Sequence, residues 1–363
     1  MGVFIADDTD TPREAGWFNF YNPQFIGDID GDSLPDILVA NGGDVKAEPY
    51  DPNRPAGRLL VLSSATGKIL AQAMMPDGKE TYYSVICFQA GIEQTPKVVF
   101  GTGGETLGGN LFVADLKDLL SNDLTKATIL ASSPDKGFIA PPVAIDLNRD
   151  LILDLVAIAV DGTVYAFNGF DLSPIWESKM EGCEAYSSIA VGNYNSDSVP
   201  DIFLSIAAGV WPKLEWNRQF MLDGLDGKVL YFDSLGFYQT STGVTFDFNK
   251  DAQDEVILSL NYQVVDEFYR KFFHNMIVFI DFANGEVSQL GDEYDGNNIS
   301  STPWIGDLDE DGFLDIIYVH ANNLRHTYTF DGMQIHRLAT QFRVDASVRW
   351  GAYMGSNYNG VFR

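Results

Sequence analysis

Basic residues are scarce in this chain: 23 Lys and Arg stand against 51 Asp and Glu, giving a formal charge of -28. Phosphate binding needs a basic footprint, so duplex nucleic acid is excluded as a partner. No run of 18 or more apolar residues occurs, which excludes a membrane-spanning helix and membrane insertion. Only two cysteines are present, Cys87 and Cys183, and they read as small buried hydrophobes and not as a disulfide. The sequence has no Gly-x-Ser-x-Gly, no His-Glu-x-x-His and no phosphate-cradling glycine loop. Four histidines leave little acid-base chemistry; His320 and His326 flank one turn and read first as structural.

What the chain has instead is a nine-residue acidic loop written five times. Oxygen-bearing side chains occupy relative positions 1, 3, 5 and 9: Asp28, Asp30, Asp32 and Asp36; Asp146, Asn148, Asp150 and Asp154; Asn193, Asn195, Asp197 and Asp201; Asp247, Asn249, Asp251 and Glu255; Asp307, Asp309, Asp311 and Asp315. Side chains at alternate positions of a tight loop converge on one point. Oxygen-only donors there suit a hard cation with six to eight ligands, which means Ca²⁺ and not Zn²⁺. Position 7 varies freely (Leu34, Ile152, Val199, Gln253, Phe313), as expected where only the backbone carbonyl is used. Up to five Ca²⁺ ions are therefore expected. A single such loop also fits an acidic turn, but five copies in one register do not arise from turn preference alone.

Each loop is followed by a short apolar run, such as Ile37-Leu38-Val39-Ala40 or Ile316-Ile317-Tyr318-Val319, which reads as a strand covered on both faces. Further along come paired alternating strands around a turn, as in Gly57 to Leu62 followed by Thr66 to Leu70. The repeat is thus four strands. Between the loops at 28 and 146 lies a copy without ligands, Gln89 to Lys97, in which Lys97 stands at the ninth position. Its ammonium or plain packing is expected to replace the ion.

The fold expected is all-β, a β-propeller of four-stranded antiparallel blades forming one domain over 1–363. Repeats fall near 18–75, 80–132, 137–180, 184–234, 237–290 and 299–341, with 343–363 and 1–17 together making a closing blade. That gives seven blades, with six as the fallback.

The loop-plus-strand unit resembles the FG-GAP and VCBS repeats of calcium-loop β-propellers, as in the integrin α-subunit head and many secreted bacterial proteins. The later hairpins, of the form Gly-x-x-x-Val-Leu then Gly-Lys-x-Leu, are also similar to quinoprotein-type propeller repeats. The resemblance implies the fold and the metal. It leaves function open, since propellers host binding modules and enzymes alike. The adjacent cysteine pair of many quinoprotein dehydrogenases is absent, and the chain reads as non-enzymatic; a quinone-dependent dehydrogenase or a polysaccharide-active hydrolase or lyase is the alternative. No basic-then-apolar leader opens the sequence. A secreted, periplasmic or cell-surface location is expected all the same, because extracellular calcium modules tolerate weak sites that only millimolar Ca²⁺ fills.

On the blade face opposite the loops, the second-to-third connections are long: 41–58, 101–110, 207–219, 261–275 and 321–326. They hold eight of the 23 basic residues but seven of the 51 acidic ones, a near-neutral rim on an acidic body. Trp211, Trp216, Tyr269 and Arg270 are the candidate ligand-binding residues, because flat apolar faces stack on a glycan or an extracellular protein while polar groups fix orientation. The same aromatics are equally suited to packing the loops or the central channel.

Overall fold

The computed structural model describes residues 19–43, 47–323, 331–344 and 348–363. Cα packing divides them into two compact units, one of residues up to 144 with 151–177 and one of 145–150 with 178–363.

In the first unit, β1 (Asn19–Phe25), β2 (Ile37–Gly42), β3 (Arg58–Leu62) and β4 (Ile69–Met74) form an antiparallel sheet in sequence order. The next four strands repeat the plan: β5 (Ile86–Phe88), β6 (Lys97–Gly101), β7 (Gly109–Asp115) and β8 (Thr128–Ser133), with a short helix α1 (Leu116–Leu120) after β7. A third sheet holds β9 (Val143–Ile145), β10 (Asp154–Ile158), β11 (Thr163–Phe167) and β12 (Pro174–Lys179). The apolar runs after each acidic loop become second strands buried on both faces; all five residues of β10 are buried. Leu38, Leu59, Val61, Val98, Phe100 and Phe112 share one core, and the rings of Phe100 and Phe112 lie 5.4 Å apart across the β6–β7 ladder. Each such side chain stabilises the fold by about 1.5–3 kcal/mol through burial.

The glycine-rich connection from Gly101 to Gly109 serves close packing. A Cβ on Gly108 would lie 1.9 Å from the Pro134 carbonyl oxygen, and one on Gly109 would lie 1.8 Å from that of Thr102. Only hydrogen fits there.

In the second unit, β13 (Cys183–Glu184) and β14 (Ala190–Gly192) both pair with β15 (Asp201–Val210), which continues to β16 (Lys213–Leu222) and β17 (Val229–Asp233). The next sheet is β18 (Val244–Phe246), β19 (Glu255–Val265), β20 (Lys271–Asp281) and β21 (Glu286–Asp295). A three-stranded sheet follows, β22 (Trp304–Gly306), β23 (Phe313–Ala321) and β24 (Met333–Arg343). Val244, Ile257, Ile277, Ile305, Leu314 and Ile316 are among the residues of its core.

The fold is all-β and of the β-propeller class, with antiparallel sheets as its blades. Two of the expected long connections are strand instead. Pairing continues to Val210–Lys213 and to Val265–Lys271, so 207–219 and 261–275 are mostly ladder, closed by short turns at Trp211-Pro212 and Asp266 to Arg270. Val264, Val265, Phe272 and Phe273 are good strand formers, and their cross-strand pairing outweighs the turn formers nearby.

Of the expected closing blade, 1–17 lies outside the described residues. Residues 348–363 are mainly turns, with Trp350 bridging Thr245 and the Gly351 carbonyl accepting from the Ile305 N–H at 2.8 Å. Both cysteines are free; burial pushes the Cys87 thiol up to about 11 and also raises that of Cys183.

Candidate functional site

Each acidic loop lies where the first strand of a repeat turns into the second, so its ninth residue immediately precedes, opens or sits in a central strand. In the first loop the backbone wraps around its own carboxylates. Asp28 Oδ1 accepts from the N–H groups of Gly31 (2.7 Å) and Asp32 (3.2 Å), and Oδ2 accepts from Ser33 at 2.8 Å. These donors, Ser33 foremost, hold the Asp28 carboxyl below the usual range. Positive φ at Gly31 (84°) and Ser33 (72°) makes the turn. Asp247 repeats the pattern with Lys250, Asp251 and Ala252, and Asp307 with Asp311 and Gly312. The fifth-position acid takes the N–H of position 7 in at least four loops: Asp32 from Leu34, Asp197 from Val199, Asp251 from Gln253 and Asp311 from Phe313, at 2.8–2.9 Å.

Three acidic clusters stand among the described residues, each offering oxygens within 4.8 Å of one another: Asp28, Asp30 and Asp32; Asp247, Asp251 and Glu255; Asp307, Asp309 and Asp311. Asn249 joins the second, its amide donating to Asp251 at 3.1 Å. In the loop that begins at Asn193, Asn195 donates to Asp201 Oδ1 at 3.1 Å, while the Asn193 N–H donates to Asp254 at 2.7 Å. Asp146, Asn148 and Asp150 belong to the second unit, where Asp146 accepts from Arg149 N–H and Asn148 from Asp150 N–H; Ile152 and Asp154 belong to the first.

The ninth-position acids are all buried: Asp36, Asp154 and Asp201 are 0% exposed, Glu255 1% and Asp315 2%. Asp36 accepts from the N–H groups of Ile29 and Ser64, and Glu255 from that of Phe248 at 2.7 Å. Burial pushes Glu255 up to about 8 and Asp201 up to about 7. A buried carboxylate next to two more acids, met by backbone donors, is a donor set that fits a hard cation.

Two repeats bring a protein cation instead. Lys97 opens β6 and reaches Asp115 Oδ1 on β7 at 2.8 Å, holding that carboxyl down to about 2. In the last loop Arg337, on β24, binds both oxygens of Asp315, Nε to Oδ1 at 2.8 Å and Nη2 to Oδ2 at 3.0 Å, and Nη2 also contacts Asp309. Nothing within the nine-residue motif signals Arg337; only the β23–β24 register, which sets it opposite Ile317, brings it there.

At the other end of the sheets, the candidate recognition residues fall on two neighbouring hairpins. Trp216, 49% exposed on β16, packs on Phe237 (centroids 6.0 Å), which packs on Phe273 of β20 at 4.9 Å. Trp211 follows β15, half-buried, its backbone N–H donating to Glu184 at 3.0 Å. Tyr269, 89% exposed, tips the β19–β20 hairpin with φ 62°. Arg270 pairs with Asp266 at 2.7 Å and lies 5.4 Å over the rings of both Phe268 and Phe272. Val210, Val265 and Phe268 are exposed beside them.

His326 lies outside the described residues. His320 meets His336 instead, Nδ1 to Nε2 at 3.1 Å with ring planes 12° apart, and Tyr294 covers both rings. Burial lowers the pKa of each, and for His320 the neighbouring His336 lowers it further. Among the described residues no helix is long and apolar enough to cross a membrane.

No protein family matches the chain, and no curated protein does. Solved structures similar to it include a europium-containing methanol dehydrogenase (12% identity, TM-score 0.48, 79% of this chain and 64% of that one). BamB from Moraxella catarrhalis follows at 12% identity and TM-score 0.43, over 84% and 73%. The Dos1 propeller has 13% identity and TM-score 0.42, over 79% and 62%. The chain thus spans less than two thirds of the methanol dehydrogenase and of the Dos1 propeller.

Proposed function

We propose that the chain is a calcium-loop β-propeller of the FG-GAP/VCBS type, acting outside the cytoplasm as a non-enzymatic binding module for a glycan or an extracellular protein. The observation that carries the reading is the set of buried ninth-position carboxylates above surface acids, with Asp28, Asp30, Asp32 and Asp36 met by backbone donors and, among the described residues, by no side-chain cation. Bound Ca²⁺ supplies charge neutralisation and oxygen coordination. The residues of the chain do the rest: the wrapped N–H groups orient the acids, and the rigid central strands fix the ninth ligand. The hairpin ends carrying Trp211, Trp216, Tyr269 and Arg270 offer flat apolar faces with a guanidinium beside them, which suits stacking on a sugar ring or a partner's apolar patch.

Thermal melting with and without a chelator tests the metal reading. A ligand that binds only the folded state stabilises it by about 2.7 kcal/mol at a hundredfold excess over its dissociation constant. The midpoint is expected to fall on chelation and to return with Ca²⁺ but not with Mg²⁺ at equal concentration. An unchanged midpoint after verified metal removal overturns the reading.

A further inference from the structure

The last loop differs from the first in one respect that bears on which sites fill. We infer that Arg337 is the resident cation of the loop Asp307 to Asp315, keeping Ca²⁺ out at concentrations that fill the loops beginning at Asp28 and Asp247. The inference rests on reading those loops as calcium sites.

A guanidinium fork matches a carboxylate in a bidentate geometry that an ammonium cannot reproduce. Here it takes both oxygens of Asp315, the ninth-position ligand, and one oxygen of Asp309, the third-position ligand. Ca²⁺ needs six to eight oxygens at about 2.3–2.6 Å. With those three oxygens facing a guanidinium, the loop cannot complete that shell, and a divalent ion there would also sit against a fixed positive charge. The guanidinium is not a wandering surface group. Its strand is laddered to β23 with Ile316 opposite Leu338 and Ile317 opposite Arg337, and its side chain is 39% exposed.

The comparison within the chain points the same way. Asp36, Glu255 and Asp315 all accept from a backbone N–H of their own loop, that of Ile29, Phe248 and Leu308, and of these three Asp315 alone also meets a guanidinium among the described residues. The second repeat, which has lost its acids, also carries a protein cation at this place, Lys97 paired with Asp115. Arg337 thus achieves from the neighbouring strand what Lys97 achieves from within the loop. The five loops alike in sequence are then unlike in affinity, and the last is set apart by a residue 22 positions beyond its ninth ligand.

The test is bound Ca²⁺ per chain, by equilibrium dialysis of the full chain against calcium alone. Arg337→Gln is expected to bind one ion more than the wild type, and Arg337→Gln with Asp311→Ala to lose that added ion. Equal counts in the wild type and Arg337→Gln overturn the inference. If Arg337→Gln does not fold, Arg337→Met carries the test, since it keeps an unbranched side chain on β24 and removes the positive charge; the extra ion should then appear, and its absence up to millimolar Ca²⁺ overturns the inference. Asp30→Ala serves separately. If it loses no ion in the wild-type background, the reading of the loops themselves fails, whatever Arg337 does.

Discussion

His320 Nδ1 and His336 Nε2 lie at hydrogen-bond distance, 3.1 Å apart, in a setting closed by Tyr294 and Tyr318. His320 is 1% exposed, and among the described residues its Nε2 meets no partner. A proton added at His320 Nε2 would place charge where, among the described residues, nothing accepts the new N–H, and burial lowers the pKa of both rings. The sign follows. The unfolded chain protonates these rings near pH 6.5 and the folded chain only at lower pH, so the pair costs no stability above that value and destabilises as pH falls below it. Denaturant melts in saturating Ca²⁺ between pH 7.5 and 5 should show this decline, and His336→Phe should flatten it. Equal slopes in both proteins would remove the pair as the cause. The sequence pointed to this region through His320 but offered His326 as its neighbour. His336 pairs with it because the β23–β24 register sets Tyr318 opposite His336, two residues from His320.

At the level of the element, the acidic loops were legible because everything that shapes them is local: alternate oxygens, a positive-φ turn and a strand that starts at the ninth residue. Lys97 was legible for the same reason; its partner Asp115 and the Arg337 guanidinium were not, because both sit on the next strand and only the sheet register brings them back. The hairpins β15–β16 and β19–β20 show the same limit. Their Trp, Asn and Gly content reads as loop, yet cross-strand pairing carries the ladder to the tips. That changes what the candidate recognition residues rest on, a stiff two-stranded arm in place of a flexible connection. Tyr269→Ala and Arg270→Ala should therefore leave stability within about 0.5 kcal/mol, as surface changes do. Trp216→Ala should cost about 1–2 kcal/mol, since half of the ring is already exposed. With a ligand found by glycan array or surface pull-down, the Tyr269 and Arg270 variants should each lose at least about tenfold in affinity if they are hot-spot residues. Unchanged binding in both would move the surface elsewhere.

For the molecule as a whole, composition gave the acidic body and the strand-rich fold, and the repeats gave the four-stranded plan. Sequence regularity did not show that packing divides the described residues near 145–150 and 178, because a repeat says what each sheet is and little about how tightly successive sheets cohere. The order of strands within each sheet has one more consequence. A sheet that is not closed on itself ends in a row of unpaired N–H and C=O groups, open to pairing with another chain. On β21, Glu286, Asp292, Glu293 and Asp295 guard that edge with like charge. β17 has far less protection: Val229, Leu230 and Phe232 are 43%, 50% and 57% exposed, with Asp233 at its end. The charge of -28 holds copies apart over distances that salt shortens to about 10 Å at 0.1 M. Light scattering on heating should thus rise with ionic strength, and Phe232→Lys should delay it more than the same change at an already charged edge, making β17 one strand through which copies of this protein aggregate.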